Sequence, residues 1–252
     1  MAQLTIDNLT KVFPPTAKNR PAVRAIGGLS FELSGHVFVS VVGPSGCGKS
    51  TLLNILSGVE EPTSGSISVT VDGRAARLGY VFQDARLLPW RTVMDNMLYV
   101  QDGRGDQPRA SAQRFLSMVG LDAYHDAYPA QLSGGMQQRA GIARAFSVDP
   151  DLLLMDEPFS HLDAITARSL REQLQTLWSE TGKTVLFVTH DIMEAVQLSD
   201  RIIVLAHEGR IHADIAIDLP RPRKASDPEV AAVQAEILGR FEDMEETAVA
   251  AA

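Results

Sequence analysis

The segment Gly43–Ser50, "GPSGCGKS", has the residue types and spacing of a loop that binds phosphate. It fits the pattern G-x-x-x-x-G-K-[ST] between a strand-like run and an apolar helix-like run, "TLLNILSG". In such a loop the backbone N–H groups surround a β-phosphate, Lys49 reaches the β- and γ-phosphate oxygens, and Ser50 binds Mg²⁺. A glycine-rich turn with a surface lysine is the alternative, which the flanking strand and helix disfavour. Cys47 occupies a variable position of the loop and receives no chemical role.

Two carboxylates follow a second apolar run, "DLLLMDEP". Asp156 and Glu157 fall at the carboxyl end of the predicted strand, the edge where open α/β sheets bind their ligands. Asp156 suits a Mg²⁺ ion, and Glu157 is placed to orient or deprotonate an attacking water. The alternative is a solvated acidic turn, which the presence of the phosphate loop in the same chain disfavours.

Polar residues also end two further strand-like runs, Gln83 in "LGYVFQ" and His190 in "TVLFVTH". Taken singly, a loop glutamine and a structural histidine are the more ordinary explanations, and Phe13 alone is typical of a core residue. Because the carboxyl ends of parallel strands meet at one edge of a sheet, we expect these strand ends to converge with the phosphate loop.

The segment Leu132–Phe146, "LSGGMQQRAGIARAF", predicts a helix that begins with a serine cap and two glycines. A helix N-terminus without large side chains can seat an anion, but it contributes only about 0.3–1 kcal/mol, or about 2 kcal/mol when partly buried. That energy cannot hold ATP unaided. The segment therefore predicts a lid on the γ-phosphate of an ATP bound by another copy of the chain, with two ATP molecules at a twofold interface.

Strand-like and helix-like runs alternate along the chain, which predicts an α/β fold with a largely parallel sheet. The strand-like runs are 36–43, 66–71, 78–83, 151–156 and 184–190, and helices are predicted over 109–119, 135–146 and 165–181. Asp72-Gly73 predicts a hairpin and hence some antiparallel sheet. In the last helix, Ile165, Leu170, Leu174 and Leu177 recur at near-helical spacing, as in a helix packed on a sheet.

Composition limits the class of protein. The chain has 252 residues, a net charge of −8 and one cysteine, which predicts one globular domain, a reducing cytosol and no binding of nucleic acid through overall charge. No apolar run reaches the roughly 18 residues that span a bilayer, and no secretory signal is visible at the start.

The ordered set "GPSGCGKST", Gln83, "LSGGMQQR", "LLLMDEP", "SHLD" and "VTHD" resembles the ATPase subunits of ATP-binding cassette (ABC) transporters over about residues 3–215. The resemblance implies a P-loop NTPase (RecA-like) core with an antiparallel β subdomain, covering about 1–83 and 150–219. A helical subdomain inserted over about 84–149 and a helical tail over about 220–252 complete the predicted single domain. "LLPWRTVMDNM", Leu87–Met97, looks most like the nitrate, taurine and alkanesulfonate import branch.

The resemblance also implies roles for individual residues. Phe13 stacks on adenine, Gln83 contacts Mg²⁺ and senses a membrane partner, residues 133–135 close over the ATP of the other subunit, residues 160–163 act between subunits, and His190 contacts the γ-phosphate. Met136, His161 and Phe13 depart mildly from the family pattern, and His161 leaves the subunit contact in doubt. The predicted catalytic residues are Glu157, His190 and Gln83, and the predicted Mg²⁺ ligands are Ser50, Gln83 and Asp156. The predicted nucleotide-binding residues are Phe13, Gly43, Pro44, Ser45, Gly46, Cys47, Gly48, Lys49, Ser50, Thr51, Ser133, Gly134 and Gly135.

The predicted function is an ATPase that drives import of a small solute, with nitrate, a sulfonate or a taurine-like anion as the solute classes. The expected partners are a second copy, transmembrane permease subunits and, indirectly, a solute-binding protein, at the cytoplasmic face of the membrane. The alternative is a soluble cassette ATPase acting on nucleic acid, ribosomes or cofactor assembly. A small P-loop kinase or GTPase does not explain "LSGGMQQR". The loop Leu87–Trp90 is expected to line a cleft for a short helix of the permease, with inward folding of its apolar side chains as the alternative.

Overall fold

The computed structural model describes residues 1–15, 21–101 and 106–250, with side chains described at all of these except 106 and 245–250. Residues 251 and 252 of the predicted tail lie outside the described residues. The strands are β1 Ala2–Phe13, β2 Val23–Ser34, β3 Phe38–Val42, β4 Ser64–Val71, β5 Arg74–Ala75, β6 Leu78–Val81, β7 Leu152–Asp156, β8 Thr184–Val188, β9 Arg201–Leu205 and β10 Ile211–Ala216. The helices are α1 Lys49–Leu56, α2 Val93–Tyr99, α3 Asp106–Met118, α4 Gly134–Ser147, α5 Ala164–Thr181, α6 Ile192–Leu198 and α7 Pro228–Ala250.

The chain divides into two compact units. The first contains Met1–Ala75 and Val185–Ala252, and the second contains Ala76–Thr184. The second unit therefore holds β6 and β7 as well as the helices α2 to α5.

The first unit contains an antiparallel sheet of order β2-β1-β4-β5 and strands β10-β9-β3-β8 in a second sheet. In the second sheet β3 pairs in parallel with both β8 and β9, and β10 pairs antiparallel with β9. The predicted hairpin is confirmed: Val71 pairs with Arg74, and Asp72 and Gly73 have φ of 49° and 80°, the left-handed values that a type I′ turn requires.

The core of the first unit extends into the tail. Helix α7 contributes Val230 and Ile237, both buried, to a cluster with residues of α6, β9 and β10. Arg223, also buried, donates hydrogen bonds from its guanidinium to the carbonyl oxygens of Val196, Ser199, Ile217 and Leu219. Arg223, Val230 and Ile237 of the predicted tail are therefore buried within the first unit.

The second unit places β6 and β7 side by side in parallel, with Leu78 opposite Leu152 and Val81 opposite Met155. Helix α4 contacts α3, α5 and β6. Helix α5 buries Leu170, Leu174 and Leu177, as predicted. Ile165 is 83% exposed, so its prediction as a packed residue is wrong. Ile165 lies five positions before Leu170, and at 3.6 residues per turn this offset places the two side chains about 140° apart around the helix.

Candidate active site

The phosphate loop depends on glycine at two points of close approach. A Cβ on Gly48 would lie 2.3 Å from the carbonyl oxygen of Ala25, and Gly48 has a φ of 104°. A Cβ on Gly43 would lie 2.6 Å from the carbonyl oxygen of Leu205. The loop is thus pressed against β2 and β9 on its inner side, whereas Ser45, Gly46 and Ser50 are exposed. The outer side of the loop backbone is therefore accessible to a ligand.

Lys49 is held by the loop that carries it. Its side chain is buried, and Nζ donates to the carbonyl oxygens of Gly43 at 2.7 Å and Pro44 at 3.0 Å. Cys47 is also buried, and burial raises the pKa of its thiol although the nearby Lys49 charge opposes this shift. The loop therefore presents one fixed ammonium group and a protonated, packed cysteine.

The phosphate loop and His190 follow neighbouring strands. The loop follows β3, and His190 comes two residues after the end of β8, which pairs with β3. The backbone N–H of Thr189 donates to the carbonyl of Val41 at 3.3 Å, and its buried hydroxyl donates to Glu194 Oε2 at 2.8 Å. His190 is exposed at this edge. The structure thus brings His190 to the strand end beside the loop, as predicted for this pair.

Phe13 is the last residue of β1 and is half-buried. The Lys11 ammonium lies 4.8 Å from the centroid of its ring and also pairs with Glu60 at 2.7 Å. This cation–π contact covers part of the ring. Stacking of adenine on Phe13 stays a prediction.

In the second unit Asp156 and Glu157 stand at the carboxyl end of β7 and are both half-buried. Glu157 has a φ of 41°, a conformation that is strained for a residue with a Cβ and is typical of functional sites. The Ser160 hydroxyl donates to the Glu157 carbonyl at 3.0 Å. This bond fixes the backbone that carries the carboxylate.

Gln83 follows the neighbouring strand β6 and lies close to these residues. Its Nε2 donates to Ser160 Oγ at 3.2 Å and is 3.4 Å from His161 Nε2. On the other side of the ring, His161 Nδ1 lies 3.1 Å from Asp84 Oδ1. His161 therefore contacts the Gln83 segment within one chain, an arrangement that the sequence did not indicate.

Ser133 caps α4, because its Oγ accepts the backbone N–H of Met136 at 3.3 Å. The two glycines that follow have different surroundings. A Cβ on Gly134 would meet no atom within 4 Å, whereas one on Gly135 would lie 2.5 Å from Thr166 Cγ2. Ser133 and Gly134 are exposed, so the N-terminus of α4 is open at Gly134 and packed against α5 at Gly135.

Asp163 caps the neighbouring helix α5. Its Oδ1 accepts the backbone N–H groups of Ile165 at 3.1 Å and Thr166 at 3.0 Å. The hydrogen bond from the Thr166 side chain, followed by these backbone bonds, lowers the pKa of the Asp163 carboxyl. The end of the "SHLD" segment is therefore fixed to the helix that packs on Gly135.

Side chains of α4 hold the segment that carries Gln83. Gln138 Nε2 donates to the Phe82 carbonyl at 3.0 Å, and Arg144 donates to the carbonyls of Ala85 at 2.7 Å and Arg86 at 3.0 Å. Burial lowers the pKa of Arg144. Sequence reasoning missed both residues, although they lie within the quoted segment of α4.

Two cavities lined by described residues of the second unit lie near Gln83. The larger, of about 440 Å³, is lined by aromatic and aliphatic side chains together with Arg77, Arg86 and Arg144. The smaller, of about 280 Å³, is lined by Gln83, Gly134 and His161 among others. Trp90 is 71% exposed, which excludes the inward folding considered for it.

The oxygen donors predicted for Mg²⁺ are of the kind that this ion prefers: a hydroxyl, a carboxylate and an amide. Mg²⁺ typically uses one or two carboxylates together with substrate phosphates. Within residues 1–15, 21–101 and 106–250, no group of three or more His, Cys, Asp or Glu side chains could hold a metal ion. The hydroxyl, carboxylate and amide donors predicted for Mg²⁺ fit an ion whose remaining ligands are substrate phosphates.

The fold and the loop together define a P-loop NTPase. The family model for the ABC transporter matches residues 26–160. An uncharacterised ABC transporter ATP-binding protein of Methanocaldococcus jannaschii is 44% identical over 96% of this chain and 92% of its own length. The aliphatic sulfonates import ATP-binding protein SsuB of Bacillus cereus is 38% identical over 95% of this chain and 96% of its own length. The chain belongs to the ABC transporter family and is an ATP-binding, ATP-hydrolysing member of it.

A solved structure with a similar fold is the dimeric ATP-binding cassette MJ0796 in a post-hydrolysis state bound to ADP and Pi. It has a TM-score of 0.73 and 32% identity, and the alignment covers 86% of this chain and 100% of that one. In the described part of this chain, no helix is both long enough and apolar enough to cross a membrane.

Proposed function

We propose that this chain is the ATPase subunit of an importer for a small anion and acts as a homodimer on separate membrane subunits. The observation that carries the proposal is the exposed N-terminus of α4, open at Gly134, in a chain that has its own phosphate loop. The sulfonate-import names of relatives and the dimeric state of MJ0796 support it.

Each predicted site residue has a role that its chemistry suits. Lys49 and the loop N–H groups bind the β- and γ-phosphates, and Ser50, Asp156 and Gln83 hold Mg²⁺. When bound, Mg²⁺ supplies charge stabilisation to the transferring phosphoryl group. Glu157 accepts a proton from the attacking water or orients it.

The shared site can be tested with a mixed dimer that combines a Lys49→Ala chain with a Ser133→Arg chain. If each ATP lies between a phosphate loop and the partner's α4, one site carries both lesions and the other is intact. We expect one tightly bound ATP per dimer, measured by equilibrium dialysis at the concentration that saturates the wild type. Two equally weakened sites would refute a shared site.

The larger cavity is proposed to receive a short helix of the membrane subunit, which would place the chain at the cytoplasmic face of the membrane. Three arginines line the cavity, and none of the described residues that line it carries a carboxylate. A helix with acidic side chains and an apolar anchor would therefore complement it. Leu88 lines the cavity and the exposed Trp90 stands two residues away. Tryptophan is enriched at binding hot spots.

Replacement of Trp90 tests this surface. Trp90→Ala should leave ATP affinity within a few-fold and should weaken assembly with the membrane subunits or uncouple ATP turnover from transport. Trp90→Phe, which keeps an aromatic ring, serves as the matched control. Co-purification and coupled uptake that match the wild type in the alanine variant would remove Trp90 from the interface.

The transported solute and its capture protein require a cellular experiment. Deletion of this gene should abolish uptake of a labelled alkanesulfonate, and the wild-type chain, but not Glu157→Gln, should restore it. Labelled nitrate and taurine are measured in the same strains. Unchanged uptake of all three would refute the solute class, and binding of the same solute by a separate protein would identify the solute-binding partner.

A further inference from the structure

Glu194 is a buried carboxylate to which the proposed chemistry gives no role. Its side chain is 7% exposed, and its Oε2 accepts the Thr189 hydroxyl, which is also buried, at 2.8 Å. A buried carboxylate is costly unless hydrogen bonds hold it, so Thr189 is part of what permits Glu194 at this position. Thr189 directly precedes His190, which places the pair beside a predicted catalytic residue.

The Thr189 hydroxyl closes a turn around His190. It accepts the backbone N–H of Asp191 at 3.0 Å and so joins the residues on either side of the histidine. Because a backbone N–H can only donate, the proton of the hydroxyl is directed to Glu194 Oε2. A threonine side chain that bonds the backbone two residues on holds the chain between them in a turn. The direction in which His190 leaves β8 is therefore set by a hydroxyl that Glu194 orients.

Helix α6, which carries Glu194, is firmly attached to the sheet. Asp191 Oδ1 caps the helix by accepting the backbone N–H of Glu194 at 3.2 Å. Val196 of the helix lies in one buried cluster with Val42, the last residue of β3. The phosphate loop begins at the residue that follows this strand. The carboxylate therefore relates the position of His190 to the strand that leads into the loop.

We propose that Glu194 is a positioning residue that orients His190 toward the nucleotide through the Thr189 hydroxyl. The inference rests on the proposed function and on the predicted contact of His190 with the γ-phosphate. Loss of the carboxylate would leave the hydroxyl free to rotate, whereas the phosphate loop would keep its own contacts. A displacement of about 1 Å at a reacting group can slow a reaction about 10²-fold. Turnover should therefore fall while nucleotide affinity is kept.

The first test compares two replacements of Glu194 in the full chain. Glu194→Met keeps the length of the side chain and removes both oxygens, whereas Glu194→Gln keeps an oxygen that accepts the Thr189 hydroxyl. At saturating ATP and Mg²⁺, phosphate release should slow about 10- to 100-fold in Glu194→Met, and Glu194→Gln should retain most of the rate. The ADP affinity of both variants should stay within a few-fold of the wild type.

Glu236→Met is the matched control for this test, because it makes the same change at an exposed glutamate of α7. It should release phosphate as the wild type does. A wild-type rate in Glu194→Met, or an equal loss of rate in Glu194→Gln, would overturn the proposal.

The second test separates positioning of His190 from a general loss of structure. Glu194→Met is combined with His190→Ala, and radiolabelled ATP allows slow phosphate release to be measured. If Glu194 acts through His190, Glu194→Met slows the wild type but adds nothing to His190→Ala. A further loss of the same size in both backgrounds would refute the positioning role. Wild-type turnover in His190→Ala alone would instead refute the predicted role of His190.

A third measurement observes His190 without turnover. The ring signals of the six histidines are recorded by NMR on the chain labelled with ¹⁵N-histidine, and His190→Ala assigns those of His190. Glu194→Met should shift the His190 signals and leave those of His125, in the second unit, unchanged. Unchanged His190 signals would overturn the proposal even if turnover fell.

Thr189 offers a second pair of variants if Glu194→Met does not fold. Thr189→Val keeps the shape of the side chain and removes the hydroxyl, whereas Thr189→Ser keeps the hydroxyl. Thr189→Val should lose much more turnover than Thr189→Ser and should shift the His190 signals further. Equal turnover and equal signals in the two variants would disprove the role of the hydroxyl and with it the proposal.

Discussion

Gly134 and Gly135 are adjacent in sequence, yet the structure predicts opposite results when each is replaced by alanine. Both variants gain the same preference of alanine over glycine in a helix, about 1 kcal/mol at most. Only Gly135→Ala places a Cβ 2.5 Å from Thr166 Cγ2, and overpacking of this kind costs about 1–3 kcal/mol. The helix preference is the same for both variants and cancels when they are compared. The free energy of unfolding of Gly135→Ala should therefore be about 1–3 kcal/mol lower than that of Gly134→Ala.

Urea denaturation of the two full-length variants measures this difference directly. Thr166→Ser removes the methyl group that would clash and keeps the hydroxyl, so it should restore part of the stability of Gly135→Ala. Thr166→Ser combined with Gly134→Ala should not raise the free energy of unfolding above that of Gly134→Ala alone, so this double variant is the matched control. Equal unfolding free energies for the two alanine variants, or no rescue by Thr166→Ser, would refute the packing argument.

Three further predictions concern single groups. Glu157→Gln should bind ATP and melt as the wild type does while phosphate release slows about 10²- to 10⁴-fold; near-normal turnover would contradict its role as base. Hydrogen bonds lower the pKa of Asp163 in the folded chain, so its ionised carboxylate stabilises α5 at pH values above 3.8, the ordinary pKa of the group. This contribution is lost as the pH falls through the lower pKa that Asp163 has in the folded state. The melting advantage of the wild type over Asp163→Asn should therefore shrink below about pH 4, and a constant difference would refute it. Burial raises the pKa of Cys47, so iodoacetamide should alkylate the native chain more slowly than the urea-unfolded chain at one pH, and equal rates would disprove its burial.

Strands buried on both faces could be predicted from the sequence, because each of β3, β7 and β8 is a short run with four apolar residues out of five. The strands β1 and β2 did not show such a signal. Asn8, with a φ of 46°, lies where the register between these strands shifts, and the bulge interrupts the alternation of apolar residues. Gly27 and Gly28 of β2 have the composition of a turn, yet they lie inside a strand.

The candidate site also combines features that the sequence predicts with contacts that it does not predict. The phosphate loop, the carboxylates after β7 and the cap at Ser133 are linear motifs whose spacing carries their chemistry. The contacts of Gln138 with Phe82 and of Thr166 with Gly135 join residues far apart in sequence, so no local pattern indicates them. At Gly134 and Gly135 the sequence predicts only that some group approaches the helix closely. The packing of α5 shows that Thr166 is the group that approaches Gly135.

The pairing of β3 also limits when the phosphate loop can form during synthesis. Both neighbours of β3, the strands β8 and β9, lie far downstream, and about 160 residues separate the end of β3 from the end of β9. At about 5–20 residues per second, a ribosome needs roughly 8–30 s to add them. Throughout that interval the new chain carries a complete phosphate-binding motif without the strands that shape it. The nascent protein therefore emerges unable to hold nucleotide, and this capacity arises only after β8 and β9 have been synthesised.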